Sequence, residues 1–141
     1  NMGMDTDQAT LWRAVLEAIG YDYIGITDIY KKGGVSLEEI TITEGGSKSN
    51  LWNQIKADML NTKTKTFKKS GGAVMMNVLT VAYALGDIKD LKEVIKNNLE
   101  INKNYLPQKE KTDYYRKIFK TRKMLLNSEM KEVFKILEKV K

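Results

Sequence analysis

The sequence predicts a mainly α-helical protein with a short β-hairpin, and three observations lead to this class. Apolar residues recur at helical spacing near the start of the chain and through its second half. Strict alternation of apolar and polar residues is confined to short segments such as "IGITDIY" and "EEITITE". Hydrophobic residues make up 42% of the 141 residues, enough for a folded core. An α+β fold is the alternative, because residues 21–46 fit either short helices or a hairpin.

The composition argues against catalysis and favours an anionic partner. The chain contains no histidine and no cysteine, which removes the commonest general base, the commonest metal ligand and any thiolate site. Basic residues exceed acidic ones by 24 to 18, and the excess lies after residue 50. We therefore expect no enzyme, no metal and no cofactor. We also expect a cytoplasmic protein without a membrane segment, since no signal sequence or long apolar span is visible.

The pattern predicts one helix at the start of the chain and another near its middle. The first covers "DTDQATLWRAVLEAIG", with Thr6 or Asp7 as its cap and Gly20 where it stops. The second follows Ser47 or Ser49 and carries one apolar face, formed by Leu51, Ile55 and Met59.

The second half of the chain is predicted to be helical. An apolar helix or strand covers residues 73–85, and an amphipathic helix follows it. Pro107 breaks the chain and begins the next helix, and a last helix closes the sequence. We therefore divide the chain into two parts. Residues 4–72 carry a basic wing, that is, a lysine-rich hairpin beside a helix, and residues 73–141 form a helical bundle or hairpins.

The stretch "SLEEITITEGGSKSNLWNQI" resembles the helix-turn-helix of DNA-binding proteins over residues 36–56. Ile40 and Thr41 match the first helix, Gly45 the turn, and Leu51 and Ile55 the anchors of the second helix. The resemblance implies that the second helix enters the major groove of DNA. An upstream window, "GYDYIGITDIYKKGGVS", resembles the DNA-binding domain of tetracycline-repressor-type proteins. The two registers overlap, so only one of them can be right.

The predicted nucleic-acid contacts lie on the second helix and on the lysine–threonine run after it. Asn and Gln side chains can bond to base edges, whereas lysines contact phosphates. The run "KTKTF" is expected to pair with residues after "KKSGG" as a wing, with its lysines on one side. The predicted contact residues are Lys48, Ser49, Asn50, Asn53, Gln54, Lys56, Lys63, Lys65, Lys68 and Lys69.

A second stretch, "AYALGDIKDLKEVIKNNLEINKN", resembles a tetratricopeptide-type helical hairpin over residues 73–104. Leu85, Gly86 and Asp87 carry the likeness at the end of the first helix, and Leu99 to Asn102 carry it at the end of the second. The resemblance implies stacked helices that bind another protein.

These patterns lead to a small non-enzymatic protein that binds nucleic acid, with duplex DNA favoured over RNA, as a transcription regulator or a plasmid or phage accessory factor. Its C-terminal helices would form a homodimer or bind a protein partner. The alternative is a helical protein-interaction module without a nucleic-acid ligand. A metal-dependent nuclease built from Asp28, Glu38, Glu39 and Glu44 is disfavoured. The spacing of Glu44 and Lys48 does not give the acid-x-lysine arrangement, in which residues two apart share one strand face.

Overall fold

The computed structural model describes residues 2–43, 45–68 and 72–138. Within these ranges the chain forms helices, a short 3-10 turn at Gly45–Ser47 and a small sheet. In chain order the elements are α1 (Gln8–Lys32), β1 (Glu39–Ile42), α2 (Asn50–Leu60), β2 (Lys63–Phe67), α3 (Gly72–Ala84), α4 (Leu91–Asn98), β3 (Ile101–Tyr105), α5 (Lys109–Asn127) and α6 (Glu129–Glu138).

The sheet has the order β1-β2-β3, with β2 in the middle. β1 pairs with β2 in parallel, and Ile42 lies opposite Thr66. β3 pairs with β2 antiparallel, and Tyr105 lies opposite Thr64. A parallel pair needs a crossover connection, and here α2 supplies it. The fold is therefore an α/β arrangement around a β1–α2–β2 unit.

The predicted winged helix-turn-helix and its α+β alternative are wrong. Residues 39–42, expected in the first helix of the motif or in a hairpin, form a strand that pairs with β2. "KTKTF" is the central strand, and the residues from Gly72 onward form α3, so no wing exists in the described part of the chain. The upstream window has no repressor-type turn either, because residues 20–32 continue α1.

α1 begins where the sequence predicts and continues past its predicted end. Asp7 caps it, accepting a hydrogen bond from the backbone N–H of Thr10 at 2.8 Å. Gly20 lies inside the helix and serves packing. A Cβ at Gly20 would lie 2.3 Å from Met59 Sδ, so glycine here allows α1 to approach α2 closely.

The core lies where α1, α2 and α5 meet. Apolar side chains of the three helices pack together, and Tyr21 of α1 lies edge-on to Tyr115 of α5, with 6.4 Å between the ring centroids. Ser49 caps α2, accepting from the N–H of Trp52 at 3.2 Å, which confirms one of the two predicted caps. The buried cluster consists of Leu16, Tyr21, Ile24, Trp52, Ile55, Met59, Leu60 and Tyr115.

The predicted tetratricopeptide-type hairpin is also wrong. α4 ends at Asn98, and the chain then runs as β3 along the second edge of β2. The helices predicted after Pro107 are confirmed as α5 and α6. β3 pairs with β2 across the predicted boundary between 4–72 and 73–141, a division that stays a prediction. Among the described residues, no helix is long and apolar enough to cross a bilayer.

Candidate functional site

The candidate site is the glycine–serine turn that connects β1 to α2. β1 and β2 are parallel, so their carboxyl ends lie at the same edge of the sheet. In open α/β sheets, ligands bind in the crevice outside these carboxyl ends. The turn Gly45–Ser47 lies at that edge, directly before the N-terminus of α2.

Two side chains of α2 donate hydrogen bonds to carbonyl oxygens of the turn. Asn53 donates through Nδ2 to the carbonyl oxygen of Ser47 at 2.7 Å, and Lys56 donates through Nζ to the carbonyl oxygen of Gly46 at 3.3 Å. Both side chains are buried. Because these two carbonyls face α2, the turn is fixed to the helix while Gly45 and Gly46 themselves stay exposed.

Lys56 is a buried cation beside the turn. Its Nζ lies 4.7 Å from the centroid of the Trp52 ring. Among the described residues it has no carboxylate within ion-pair distance. Burial lowers the pKa of Lys56 to about 8, because desolvation disfavours the charged amine.

The two glycines leave room for a ligand at the backbone. A Cβ built on Gly45 would meet nothing within 4 Å, and one built on Gly46 would come 3.4 Å from Lys56 Nζ. The protein packing therefore does not require glycine at residue 45. Glycine there permits close approach of another molecule to the backbone.

The structure brings three of the predicted contact residues together at this turn. Lys48, Ser49 and Asn50 are exposed and follow the two glycines. Ser49 also caps α2. Asn50 accepts a hydrogen bond from the hydroxyl of Tyr105 at 2.7 Å.

The other α2 residues of the predicted set face the protein. Asn53 is fully buried, and its Nδ2 also donates to the Tyr105 hydroxyl at 3.3 Å. Gln54 donates to the carbonyl oxygen of Leu106 at 2.9 Å. Lys56 points to the turn, as described above.

The lysines of β2 and its end are engaged with carboxylates. Lys63 and Lys65 both pair with Glu39 on β1, and Lys68 pairs with Glu100. Their pairing lowers the pKa of Glu39. Lys69 lies outside the described residues. The individual contact role of each of the ten residues predicted from the sequence stays a prediction.

Within the described residues, the acidic side chains considered for a nuclease do not form a metal site. Asp28 binds Arg116 with N–O distances of 2.9 and 3.1 Å, and Glu39 binds the two lysines. Glu44 is outside the described residues. Over residues 2–43, 45–68 and 72–138, no cluster of acidic side chains could hold a metal ion.

The fold and the turn define a class of protein. Residues 1–85 match the model of the C-terminal domain of the FGGY family of carbohydrate kinases. This match covers more than half of the chain, so the chain belongs to the FGGY carbohydrate kinase family. The turn Gly45–Ser47 and the whole of β1, α2 and β2 lie inside the matched range.

Individual relatives are sugar and polyol kinases. The chain is 30% identical over 112 residues to a xylulose kinase of Staphylococcus epidermidis, covering 79% of this chain and 23% of that protein. It is 27% identical over 113 residues to glycerol kinase 2 of Saccharolobus solfataricus, covering 79% of this chain and 22% of that protein. The chain thus spans about a quarter of the length of these relatives.

Solved structures share the fold. A ligand-bound xylulose kinase from Lactobacillus acidophilus superposes with a TM-score of 0.75 at 23% identity, covering 91% of this chain and 26% of that one. A kinase from Brucella ovis gives a TM-score of 0.76 at 19% identity, covering 94% of this chain and 27% of that one. At these identities the likeness concerns the α/β fold alone.

The family membership corrects the functional prediction. The chain is not a helix-turn-helix or tetratricopeptide-type protein, and the DNA-binding regulator or mobile-element factor is wrong. The alternative of a helical interaction module is wrong too, as are the nucleic-acid partner and the partner of the C-terminal helices. The expectation of a non-enzymatic protein fails because the family consists of kinases.

The segment "EGGSKS" lies between a strand and a capped helix. The helix-turn-helix prediction places Gly45 in a turn between two helices instead, because it takes Ile40 and Thr41 as helical. The signal that identifies the site is the order strand, glycine turn, helix, strand over residues 39–67. That order is typical of a parallel β–α–β unit, with ligands at its strand ends.

Proposed function

We propose that this chain contributes the nucleotide-facing turn of a carbohydrate kinase that phosphorylates a ketopentose such as xylulose. The observation that carries the proposal is the turn Gly45–Ser47, with both glycines exposed, at the carboxyl ends of two parallel strands and inside the range matched to the kinase family. The named relatives supply the substrate class. The cytoplasm, where nucleoside triphosphates are abundant, is the proposed compartment.

The residues of this chain bind and orient the nucleotide in the proposal. Phosphoryl transfer depends mainly on positioning and on stabilising negative charge. Gly45 and Gly46 let the nucleotide approach the backbone, and the exposed ammonium of Lys48 provides positive charge beside it. Asn53 and Lys56 keep the turn in place through its carbonyls.

A valine at Gly45 tests the proposal. A side chain here meets open space in the protein but would occupy the room that a nucleotide needs. We expect Gly45→Val to weaken binding of magnesium ATP about tenfold or more, equivalent to ~1.4 kcal/mol or more, with an unchanged melting temperature.

Fluorescence of Trp52 can report this binding. The Trp52 ring lies 4.7 Å from Lys56 Nζ, which contacts the turn through the carbonyl oxygen of Gly46. The chain has two tryptophans. Trp12 lies at an exposed position of α1, so Trp12→Phe makes Trp52 the single source of tryptophan fluorescence. Gly25→Val is the control, since Gly25 of α1 also faces open space. Equal ATP affinity in Gly45→Val and the parent would refute the proposed role of the turn.

A further inference from the structure

The hydroxyl of Tyr105 joins the last strand of the sheet to the start of α2. Tyr105 is the final residue of β3, and its side chain is buried. Its hydroxyl oxygen lies 2.7 Å from Asn50 Oδ1 and 3.3 Å from Asn53 Nδ2. Asn50 is the first residue of α2 and closely follows the turn Gly45–Ser47. A side chain of β3 therefore contacts α2 directly beside the proposed nucleotide site.

The direction of these hydrogen bonds follows from their neighbours. Asn53 donates through Nδ2 to the carbonyl oxygen of Ser47 at 2.7 Å, and a carbonyl oxygen can only accept. The same Nδ2 faces Tyr105, so the Tyr105 oxygen accepts there and its single proton goes to Asn50. The Lys103 ammonium, which can only donate, lies with Nζ 3.5 Å from Asn50 Oδ1. Both neighbours thus hold the oxygen end of the Asn50 carboxamide.

The nitrogen end of Asn50 is available to a ligand. Residue 50 is exposed, and among the described residues its Nδ2 has no acceptor. A carboxamide whose oxygen is held in this way presents only N–H groups to a ligand, so the ligand atom that contacts it must be an acceptor. A ring nitrogen of a nucleotide base is an uncharged acceptor that matches this uncharged donor. Phosphate oxygens are matched better by a cation such as Lys48.

The turn is held without the Tyr105 hydroxyl. Asn53 bonds to the carbonyl oxygen of Ser47 at 2.7 Å, whereas its contact with Tyr105 is longer, at 3.3 Å. Loss of the hydroxyl alone should therefore keep the turn in place and release the carboxamide of Asn50. The effect of Tyr105 on the site is thus expected to run through Asn50.

We propose that Tyr105 is a positioning residue of the nucleotide site, which holds Asn50 so that its Nδ2 donates to a ring nitrogen of the base. This role rests on the proposed function, since it takes the ligand of the turn to be a nucleotide. β3 lies outside the range 1–85 that matches the family model. The second half of the chain therefore completes a site that the first half begins.

The test is the binding of magnesium ATP and of adenosine to the 141-residue chain, followed by Trp52 fluorescence in the Trp12→Phe background. Tyr105→Phe removes the hydroxyl and keeps the buried ring. We expect it to weaken binding of both ligands about threefold to tenfold, because the released carboxamide of Asn50 no longer points its donor at the base. Tyr114→Phe is the matched control, since Tyr114 is exposed on α5, and it should bind both ligands as the parent does. A loss for ATP with none for adenosine would place the contact at the phosphates and overturn the proposal.

A double-mutant cycle separates positioning from general support of the fold. In the Asn50→Ala background, Tyr105→Phe should change the affinity for adenosine less than about twofold, because the hydroxyl then has no carboxamide to hold. An equal loss in both backgrounds would mean that Tyr105 only supports the fold and would overturn the proposal.

The side-chain amide of Asn50 provides a direct readout. Its signals in heteronuclear NMR spectra are identified by their absence in Asn50→Ala. We expect them to shift when adenosine is added to the parent, because Nδ2 gains an acceptor. Signals that stay in place while adenosine binds would overturn the proposal.

Asn50→Asp keeps the proposal testable if Tyr105→Phe does not fold. The carboxylate still accepts from the Tyr105 hydroxyl but offers no donor, and adenosine has no phosphate for it to repel. We expect adenosine to bind about threefold to tenfold more weakly, with an unchanged melting temperature. An unchanged affinity would overturn the proposal.

The outcome is separable from that of the proposed function. ATP binding that Gly45→Val weakens and Tyr105→Phe leaves unchanged would overturn the positioning role alone. A parent chain that binds no ATP would overturn the proposed function, and the positioning role with it.

Discussion

At the scale of single residues, Lys56 links the stability of the fold to pH. Burial lowers its pKa from 10.5 to about 8. Between these two values the unfolded chain keeps the proton that the folded chain releases, so the unfolded state binds more protons. The free energy of unfolding should therefore rise with pH across this window. The contribution of Lys56 to stability should be least favourable below pH 8.

Lys56→Met tests this dependence. The variant keeps an apolar chain of similar length under Trp52 but has no titrating group, so the rise in unfolding free energy from pH 7.5 to 9.5 should disappear. Urea unfolding at a series of pH values measures it. Burial raises the pKa of Tyr21 and Tyr115 from 10.0 to about 12. These tyrosines should therefore lower the stability of the fold only above pH 10, outside the range measured. Parallel pH profiles of parent and variant would contradict the prediction.

At the scale of elements, the contact between α1 and α2 depends on a glycine. Gly20→Ala should destabilise the fold by about 1–3 kcal/mol, because the added methyl overlaps the buried side chain of Met59. Gly25→Ala in the same helix meets open space and should stabilise by about 0.5–1 kcal/mol. Thermal or urea unfolding of the two variants gives the comparison, and the same sign in both would contradict this account.

The start of α5 depends on a side chain from α2. Gln108, the N-cap residue of α5, makes no side-chain cap bond of its own. Its backbone N–H donates to Asp58 Oδ1 at 2.8 Å, and Thr112 donates to the Asp58 carbonyl oxygen at 2.7 Å. Asp58 is buried, so it acts as a cap supplied by another helix.

Asp58→Ala leaves that N–H without its acceptor, and we expect a cost of about 1–3 kcal/mol. Hydrogen exchange of the first turn of α5 should accelerate more than that of α1. Asp113→Ala is the control, since Asp113 lies on the exposed side of α5. An unchanged first turn of α5 in Asp58→Ala would show that the cap is dispensable.

At the scale of the whole molecule, local features were predictable and pairing partners were not. The caps Asp7 and Ser49 act within three residues of their partners, and local sequence determines such contacts. The partner of β1 lies beyond α2 in the sequence, and alternation alone does not distinguish a parallel partner from a hairpin. The same limit applies to "INKNY", which forms β3 because β2 offers it an edge.

The site was predictable only in part for the same reason. Lys48, Ser49 and Asn50 were identified as exposed polar residues at a helix start, which is a local property. The burial of Asn53 and Lys56 depends on how α2 packs against α1, the turn and Tyr105. A helical wheel does not contain that information, because three sides of α2 face other elements.

The parallel pairing of β1 with β2 also sets an order of assembly. Both strands and the helix between them are close in sequence, whereas β3 follows only after α3 and α4. As the polypeptide leaves the ribosome, the β1–α2–β2 unit can form while the second side of β2 still awaits its neighbour. Until residues 101–105 emerge, β2 exposes an unpaired edge, and this is the interval in which the nascent chain most needs protection from aggregation.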